Sequence, residues 1–426
     1  MILTTLLRTW LTRSFRPFIF RGRSAPQGGK QSLKLNYAAA ENLGLYVHIP
    51  FCRTICGFCP YNKEIYSTQA AAAYKAALLA EIGLVGGVPS ANGKKSVTSL
   101  YFGGGTPALM ARDLSDIIQK LREYFVITGD IGIELHPDDV DTATLQTIKD
   151  AGVTMVSIGV QSFDADCLSM IGRTYNDFEN KIALAKSFGF SVIDVDLIFA
   201  IPGQSEQTLK NDLAKALQSG ATQISTYPFI DFTFADNAYK PLPSARKKRL
   251  LKSILAQSGS LGLTRTSVWT FALKGTQKYS SVTRDNFLGF GPGATTLLKD
   301  IFKVNTFSVS AYIQTVSEGT LPTALTLSFT PRQRAAYFLF WSAYGLKIRE
   351  EDFKKATGRS LSDMFGLELA LGGLLGLFKK TEEGYSLTQK ASFLYHKIEQ
   401  VYTTAYIDKM WNIARKVPFP QKIVLK

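Results

Sequence analysis

Three cysteines crowd into one short stretch: Cys52, Cys56 and Cys59, with three and two residues between them. Thiolates are soft ligands that suit iron–sulfur clusters or zinc, and this spacing lets a single loop wrap a cubane. Three thiolates on a cluster that takes four ligands leave one iron open, where a cofactor or substrate can chelate. A zinc site would need a fourth ligand, and His48 is the nearby choice. A disulfide with a spare thiol would suit a secreted chain, but no secretory signal is evident. Inert core thiols are the remaining reading. Cys167, in SFDADCLSMIG, reads as a small apolar residue at a helix start rather than as a ligand.

The second set of chemical residues sits at the ends of apolar runs. Gly103-Gly104-Gly105-Thr106-Pro107 follows the run 97–102. Three glycines remove Cβ atoms, so the backbone can approach a ligand and offer its N–H and C=O groups. Glu134 closes the run 130–136, Gln161 closes 154–161, Arg173 follows in IGRTYN, and Asp196 lies in DVDLIFAIPGQ. Buried strand-end Glu, Gln and Asp are costly unless each meets a partner. The bland reading of Glu134 is a surface-facing alternate residue.

Elements that place these residues follow from periodicity. Strands are expected at 44–49, 97–102, 130–136, 154–161, 191–200 and 223–229, and helices at Ala70–Leu84, Ala111–Phe125, Asp141–Ala151, Asp177–Phe188 and Glu206–Gln218. Asp113, Asp141 and Ser205 stand as N-terminal caps or first-turn acids, and Gly152, Gly189 and Gly220 as stops. Strands alternating with helices predict parallel strands with right-handed crossovers, a full or partial barrel whose chemistry gathers at the strands' carboxyl ends.

The cysteine loop, with Phe58 in the aromatic place before Cys59, resembles the radical S-adenosylmethionine superfamily. YVHIPFC is more specifically similar to the oxygen-independent coproporphyrinogen III oxidase family and its relatives. The resemblance implies a partial (β/α)6 barrel and a 4Fe–4S cluster on Cys52, Cys56 and Cys59. It also implies S-adenosylmethionine held by Tyr46, Phe58, Gly104, Gly105, Thr106, Glu134, Gln161, Arg173 and Asp196, with Thr295 of NFLGFGPGATT nearby. The chemistry implied is one-electron cleavage of the sulfonium, giving a 5′-deoxyadenosyl radical that abstracts hydrogen. The substrate implied is a tetrapyrrole, first of all coproporphyrinogen III, oxidatively decarboxylated in haem biosynthesis.

Two departures keep other branches in view. A haem-chaperone branch carries HN-x-x-YW before its GPGAHS stretch, whereas QKYSSVTRDNFLGFGPGATT has no histidine. The oxidase pattern carries a further cysteine just after the third ligand, where this chain has Pro60 to Lys63. A radical enzyme that methylates or opens haem is the third reading. An electron donor such as a flavodoxin or ferredoxin is expected.

Composition bounds the rest. The chain has 426 residues, 46% hydrophobic, with four cysteines and a net charge of +15. That length holds two or three domains, and no apolar run is long enough to span a membrane. Cysteines gathered in one loop point to a reducing compartment, the cytoplasm being expected. The excess charge fits a solvated surface or an acidic ligand.

Residues 1–34 carry Arg8, Arg13, Arg16, Arg21, Arg23, Lys30 and Lys34 and no acid, with leucines, Trp10 and Phe15 between. The readings are a membrane-surface helix, a transit peptide to an organellar matrix, an arm over the active site, or a disordered tail.

The expected divisions are an arm and linker at 1–40, a barrel core at 41–235 and an extension at 236–324. A mostly helical C-terminal module at 325–426 contains a winged-helix-like part. Winged helices often bind DNA, but no helix here is loaded with residues for base edges, so a capping role is expected and nucleic acid is not.

Overall fold

The computed structural model describes residues 18–22, 35–87, 93–230, 232–233, 240–277 and 285–425. Most of the basic arm and its linker, and most of QKYSSVTRD, lie outside these residues. Six runs rich in β-branched and aromatic residues form strands: β1 (Leu43–Ile49), β2 (Ser99–Gly104), β3 (Ile131–Leu135), β4 (Met155–Gln161), β5 (Val192–Phe199) and β6 (Gln223–Pro228). Each pairs with the next in parallel register. Their near-continuous burial is that of parallel strands covered on both faces.

The crossovers are helical: α1 (Thr68–Gly86), α2 (Leu114–Arg122), α3 (Thr142–Asp150), α4 (Phe178–Ser187) and α5 (Glu206–Ser219). Asp141 and Ser205 accept from the backbone N–H of Thr144 and Thr208, capping α3 and α5. Gly152, Gly189 and Gly220 adopt φ of +96°, +68° and +118°, the left-handed conformation that stops a helix cheaply. Asp113 precedes α2 without capping it; its carboxylate instead takes the Lys75 ammonium at 2.8 Å.

The sheet does not close. On the far side of β6 lies the antiparallel strand Thr270–Ala272, reached through α6 (Ser244–Ser260). On the far side of β1 lies β7 (Asn286–Phe290), again parallel, followed by antiparallel β8 (Thr295–Leu297), β9 (Ile301–Asn305) and β10 (Thr323–Ser328). The result is a partial barrel continued at both edges into one 14-stranded sheet. Phe18–Gly22, within the stretch read as arm, is a strand between β10 and the terminal strand Lys422–Leu425. Its alternating pattern is too short to stand out in sequence, and its neighbours are distant in the chain.

After α7 (Val309–Ser317) and β10 comes the winged-helix-like part. It comprises α8 (Pro331–Tyr344), a short strand, α9 (Glu350–Thr357), α10 (Leu361–Leu374), the hairpin Phe378–Thr381/Gly384–Leu387 and α11 (Gln389–Tyr402). Phe338, Phe353 and Phe365 form its own small core. Two bonds tie α11 to the barrel edge: Trp269 Nε1 donates to His396 Nδ1 at 3.1 Å, and Arg265 Nη1 to Ser392 Oγ at 2.8 Å. The last helix, α12 (Asp408–Lys416), returns to the cysteine loop, where Arg415 donates to the Pro60 carbonyl.

Candidate active site

Pro50 ends β1 because it lacks an N–H for the ladder, yet the pairing with β2 continues by another route. Gly105 N–H donates to the Ile49 carbonyl at 2.8 Å, and Thr106 N–H to that of Phe51 at 2.6 Å. The glycine turn and the cysteine loop are thus stitched together by backbone. A Cβ on Gly105 would lie 2.5 Å from the Phe51 oxygen, and one on Gly104 would lie 2.8 Å from the Ile49 oxygen. What these glycines admit most closely is the chain itself.

Each cysteine has a donor or cation at hand. Thr106 Oγ1 donates to Cys52 Sγ at 3.7 Å and Arg173 Nη1 to Cys56 Sγ at 3.6 Å, while Lys63 Nζ bonds the Cys59 carbonyl at 2.7 Å. Burial pushes the Cys52 thiol up to about 11, against the Thr106 hydroxyl. Burial also raises Cys59, against Lys63. Among the described residues no three His, Cys, Asp or Glu side chains already converge as ligands of one metal ion. A cubane makes no such demand, since its cysteines bind different irons.

Facing the loop are carboxylates. Glu134 accepts from the Tyr101 hydroxyl at 2.9 Å and from Gly104 N–H at 3.1 Å, and burial pushes it up to about 7. Asp196 accepts from Ser157 Oγ at 2.7 Å; burial, then the charge of Asp194, hold it well above the usual carboxylate range. No Lys or Arg among the described residues pairs with either one. Tyr46 stacks on Tyr101. Gln161 ends β4 at φ +74°, a left-handed conformation strained for a non-glycine. Arg173 spans from Cys56 to the Gly159 carbonyl, and Phe58 packs on the core. Thr295 begins β8, across β7 from β1.

Several neighbours of these residues escaped the sequence reading. His48 is no spare ligand: Nε2 donates to the Asn62 carbonyl at 2.8 Å, so Nδ1 accepts from the Tyr46 hydroxyl at 3.0 Å. Burial lowers it to about 4, keeping it neutral. Asn62 in turn donates to the Phe307 carbonyl at 2.7 Å. A Cβ on Gly291 would lie 2.5 Å from the His48 oxygen, so the GPG turn rests directly on β1. Tyr61 and Tyr227 keep 49% and 40% of their surface open. Even so, burial raises both hydroxyls, and Asp196 raises them further. Both therefore lie within electrostatic reach of the Asp196 carboxylate. No periodicity marks such residues, because loops bring them in.

Residues 46–216 match the Radical SAM superfamily. Over those residues the chain is of the Radical SAM superfamily. Its cofactors are accordingly a 4Fe–4S cluster and S-adenosylmethionine. The site's chemistry fits both, with three thiols for the cluster and two half-buried carboxylates, Glu134 and Asp196, that no Lys or Arg among the described residues pairs with. Curated relatives carry several names. The Heme chaperone HemW of Bacillus subtilis is 26% identical, covering 83% of this chain and 97% of that protein. The oxygen-independent coproporphyrinogen III oxidase of Pseudomonas aeruginosa is 27% identical, covering 68% and 69%. The Anaerobilin synthase of Escherichia coli O157:H7 is 36% identical over 43% of this chain and 42% of that one. In fold, the radical SAM protein resembles the Escherichia coli coproporphyrinogen III oxidase HemN, with a TM-score of 0.73, 23% identity, and coverage of 91% and 95%. Among the described residues no helix is long and apolar enough to cross a membrane.

Proposed function

We propose that this radical SAM protein is an enzyme acting on a porphyrin-type tetrapyrrole, by oxidative decarboxylation of coproporphyrinogen III propionates. The observation that carries the reading is the pair Glu134 and Asp196, half-buried and without a Lys or Arg partner among the described residues, beside the cysteine loop. Cys52, Cys56 and Cys59 hold the cluster, leaving one iron for S-adenosylmethionine. Glu134 and Asp196 balance the cofactor's positive charge. Tyr46, Phe58, Gly104, Gly105, Thr106, Gln161 and Arg173 shape its seat, and Thr295 lies at the rim. Bound there, the two cofactors supply hydrogen-atom abstraction by a 5′-deoxyadenosyl radical.

Tyr61 and Tyr227, with half-open rings, flank the substrate side. Each propionate gives up one hydrogen atom, carbon dioxide and one electron, leaving a vinyl group. The electron passes to an acceptor, and a flavodoxin- or ferredoxin-type donor reduces the cluster. A reducing compartment, the cytoplasm or an organellar matrix, suits the thiols.

Supporting catalysis over carriage, the ring nitrogens of His48 and His396 are all engaged by protein and Nδ1 of His136 accepts from Asp138 N–H, which leaves haem the Nε2 of His136 alone among the three histidines. The chaperone reading keeps one observation in its favour, an alignment spanning 97% of HemW from Bacillus subtilis. Anaerobic reconstitution with S-adenosylmethionine, reductant and either coproporphyrinogen III or haem separates the readings. The expected outcome is 5′-deoxyadenosine together with loss of carbon dioxide and two hydrogens per propionate. Haem bound stoichiometrically without cofactor cleavage establishes the carrier, and haem methylated or opened establishes the third branch.

A further inference from the structure

Strand β4 ends on a bulge. Ile158 pairs with Val195 and Gln161 with Leu197, so Gly159 and Val160 face the single residue Asp196 across the ladder. A bulge turns the side chains that follow it, and bulges gather beside ligand sites because they re-aim those side chains. Here the Gly159 carbonyl takes the Arg173 guanidinium at 2.9 Å, and the chain leaves the strand through Gln161 at φ +74°. That left-handed conformation is costly for a residue with a Cβ and persists only where the surroundings impose it. The Gln161 amide lies back over the strand, its Nε2 2.9 Å from where a Cβ on Gly159 would stand.

What imposes it is the turn just beyond. Ser162 and Phe163 follow the last strand residue, and both are buried. The Ser162 hydroxyl donates to Asp212 Oδ2 at 2.8 Å, and the Phe163 N–H donates to Asp212 Oδ1, also at 2.8 Å. The same hydroxyl accepts from Asp164 N–H at 3.1 Å, and Asp164 in turn caps the short helix Ala165–Met170 through Cys167 N–H. One carboxylate on α5 thus grips two successive residues directly after Gln161.

Asp212 is 1% exposed, and no Lys or Arg among the described residues pairs with it; the Lys215 ammonium on the same helix goes to Glu179 at 3.0 Å. A buried carboxylate without a counter-ion is a costly way to fix a turn. Its neighbours Leu209, Leu213 and Ala216 are buried apolar residues that seat α5 on the sheet without it. What Asp212 adds is two acceptors at fixed places, which an apolar residue there could not supply.

We propose that Asp212 is a positioning residue of the cofactor site: it clamps the turn after β4 and so holds Gln161 in the left-handed conformation that presents its amide to S-adenosylmethionine. The proposal rests on the reading that Gln161 shapes the seat of that cofactor. Asp212 lies on a crossover helix and acts through Gln161. Arg173 takes the Gly159 carbonyl, ahead of the clamped turn, so its bond to Cys56 does not depend on the clamp.

The test is a cycle of wild type, Asp212→Asn, Gln161→Gly and the double variant, each full-length, cluster-loaded and kept anaerobic. Gln161→Gly relieves the left-handed residue. It should raise the thermal midpoint of wild type by about 2 °C, and add nothing once Asp212→Asn has released the turn. In calorimetry, Asp212→Asn should bind S-adenosylmethionine roughly tenfold more weakly, the order that such strain allows. The double variant should bind no more weakly than Gln161→Gly. Iron per protein should match wild type throughout. Asp212→Ala removes both acceptors and should lose more; should it fail to fold, Asp212→Asn carries the test. Equal stabilisation by Gln161→Gly in both backgrounds, affinity losses that add, or iron lost with Asp212→Asn would each overturn the proposal. An affinity unchanged by Gln161→Gly faults the functional reading of Gln161 instead, and the midpoints alone then decide whether the clamp exists.

Discussion

The Arg173 guanidinium joins two motifs far apart in sequence, donating from Nη1 to Cys56 Sγ at 3.6 Å and from Nη2 to the Gly159 carbonyl at 2.9 Å. A cation beside a thiolate ligand favours the more negative, reduced cluster. Hydrogen bonds to charged groups contribute about 1.5–3 kcal/mol. Arg173→Met should therefore retain most of the iron while lowering the reduction potential and slowing S-adenosylmethionine cleavage. Redox titration followed by electron paramagnetic resonance measures it; an unchanged potential would leave Arg173 only a structural tie to Gly159.

Gly105 gives a steric prediction. Its Cβ position is occupied at 2.5 Å by the Phe51 carbonyl, which is backbone and cannot swing away. Gly105→Ala should displace the cysteine loop, cost about 1–3 kcal/mol as an overpacked site does, and reduce iron per protein after reconstitution. Cys167→Ala is the contrasting case. Cys167 is buried in a short helix, and its thiol is pushed up to about 12, first by burial and then by the Asp164 charge. Iron content and visible absorption should match wild type.

Much of this arrangement was legible beforehand, and the reasons are local. Val192–Phe199 and its fellow strands announce themselves because parallel strands are apolar on both faces, and Ser205 and Gly220 mark α5 by cap and stop chemistry. The illegible part is made by contacts across long sequence distances. His48 is settled by Asn62, and the glycines of the 103–105 turn by Phe51 and Ile49. The strand Phe18–Gly22 is settled by partners more than three hundred residues away. Spacing shows which residues reach a strand end; it does not show which neighbour already occupies the space there.

Glu134 predicts a pH dependence. Its carboxyl is raised to about 7, chiefly by burial, so the empty folded state holds a proton that the unfolded chain releases near 4.5. The sign follows: this group's contribution to folding is complete below about 4.5 and is lost as pH rises towards 7. A cationic ligand reverses the preference by favouring the carboxylate. Affinity for S-adenosylmethionine should increase with pH up to about 7, while the uncharged thioether analogue S-adenosylhomocysteine should respond less. Calorimetry of both ligands between pH 5.5 and 8, set roughly to bracket the titration, tests this, and Glu134→Gln should flatten the difference. Equal pH dependence for the two ligands would remove Glu134 from the cofactor's charge balance.

The last prediction concerns Glu81 and Lys303, both fully buried beneath the GPG turn with 4.0 Å between Oε1 and Nζ. Glu81 is well served, accepting from Gly291 N–H at 2.8 Å, Asn305 Nδ2 at 2.8 Å and Tyr312 at 2.7 Å. Lys303 Nζ has no hydrogen-bond partner and depends on the Glu81 charge alone. The two single substitutions should therefore differ. Glu81→Gln strands a buried ammonium and loosens the turn that rests on His48, at about 3–5 kcal/mol. Lys303→Met leaves a carboxylate that keeps its three donors and should cost less. The double variant should recover part of the loss of Glu81→Gln, because an apolar side chain then replaces the stranded charge. Urea unfolding of all four proteins gives the coupling energy directly. Iron retention should fall in the order wild type, Lys303→Met, Glu81→Gln. Equal losses for the two single variants would show that the charge pair, rather than the donors around Glu81, holds the turn against β1.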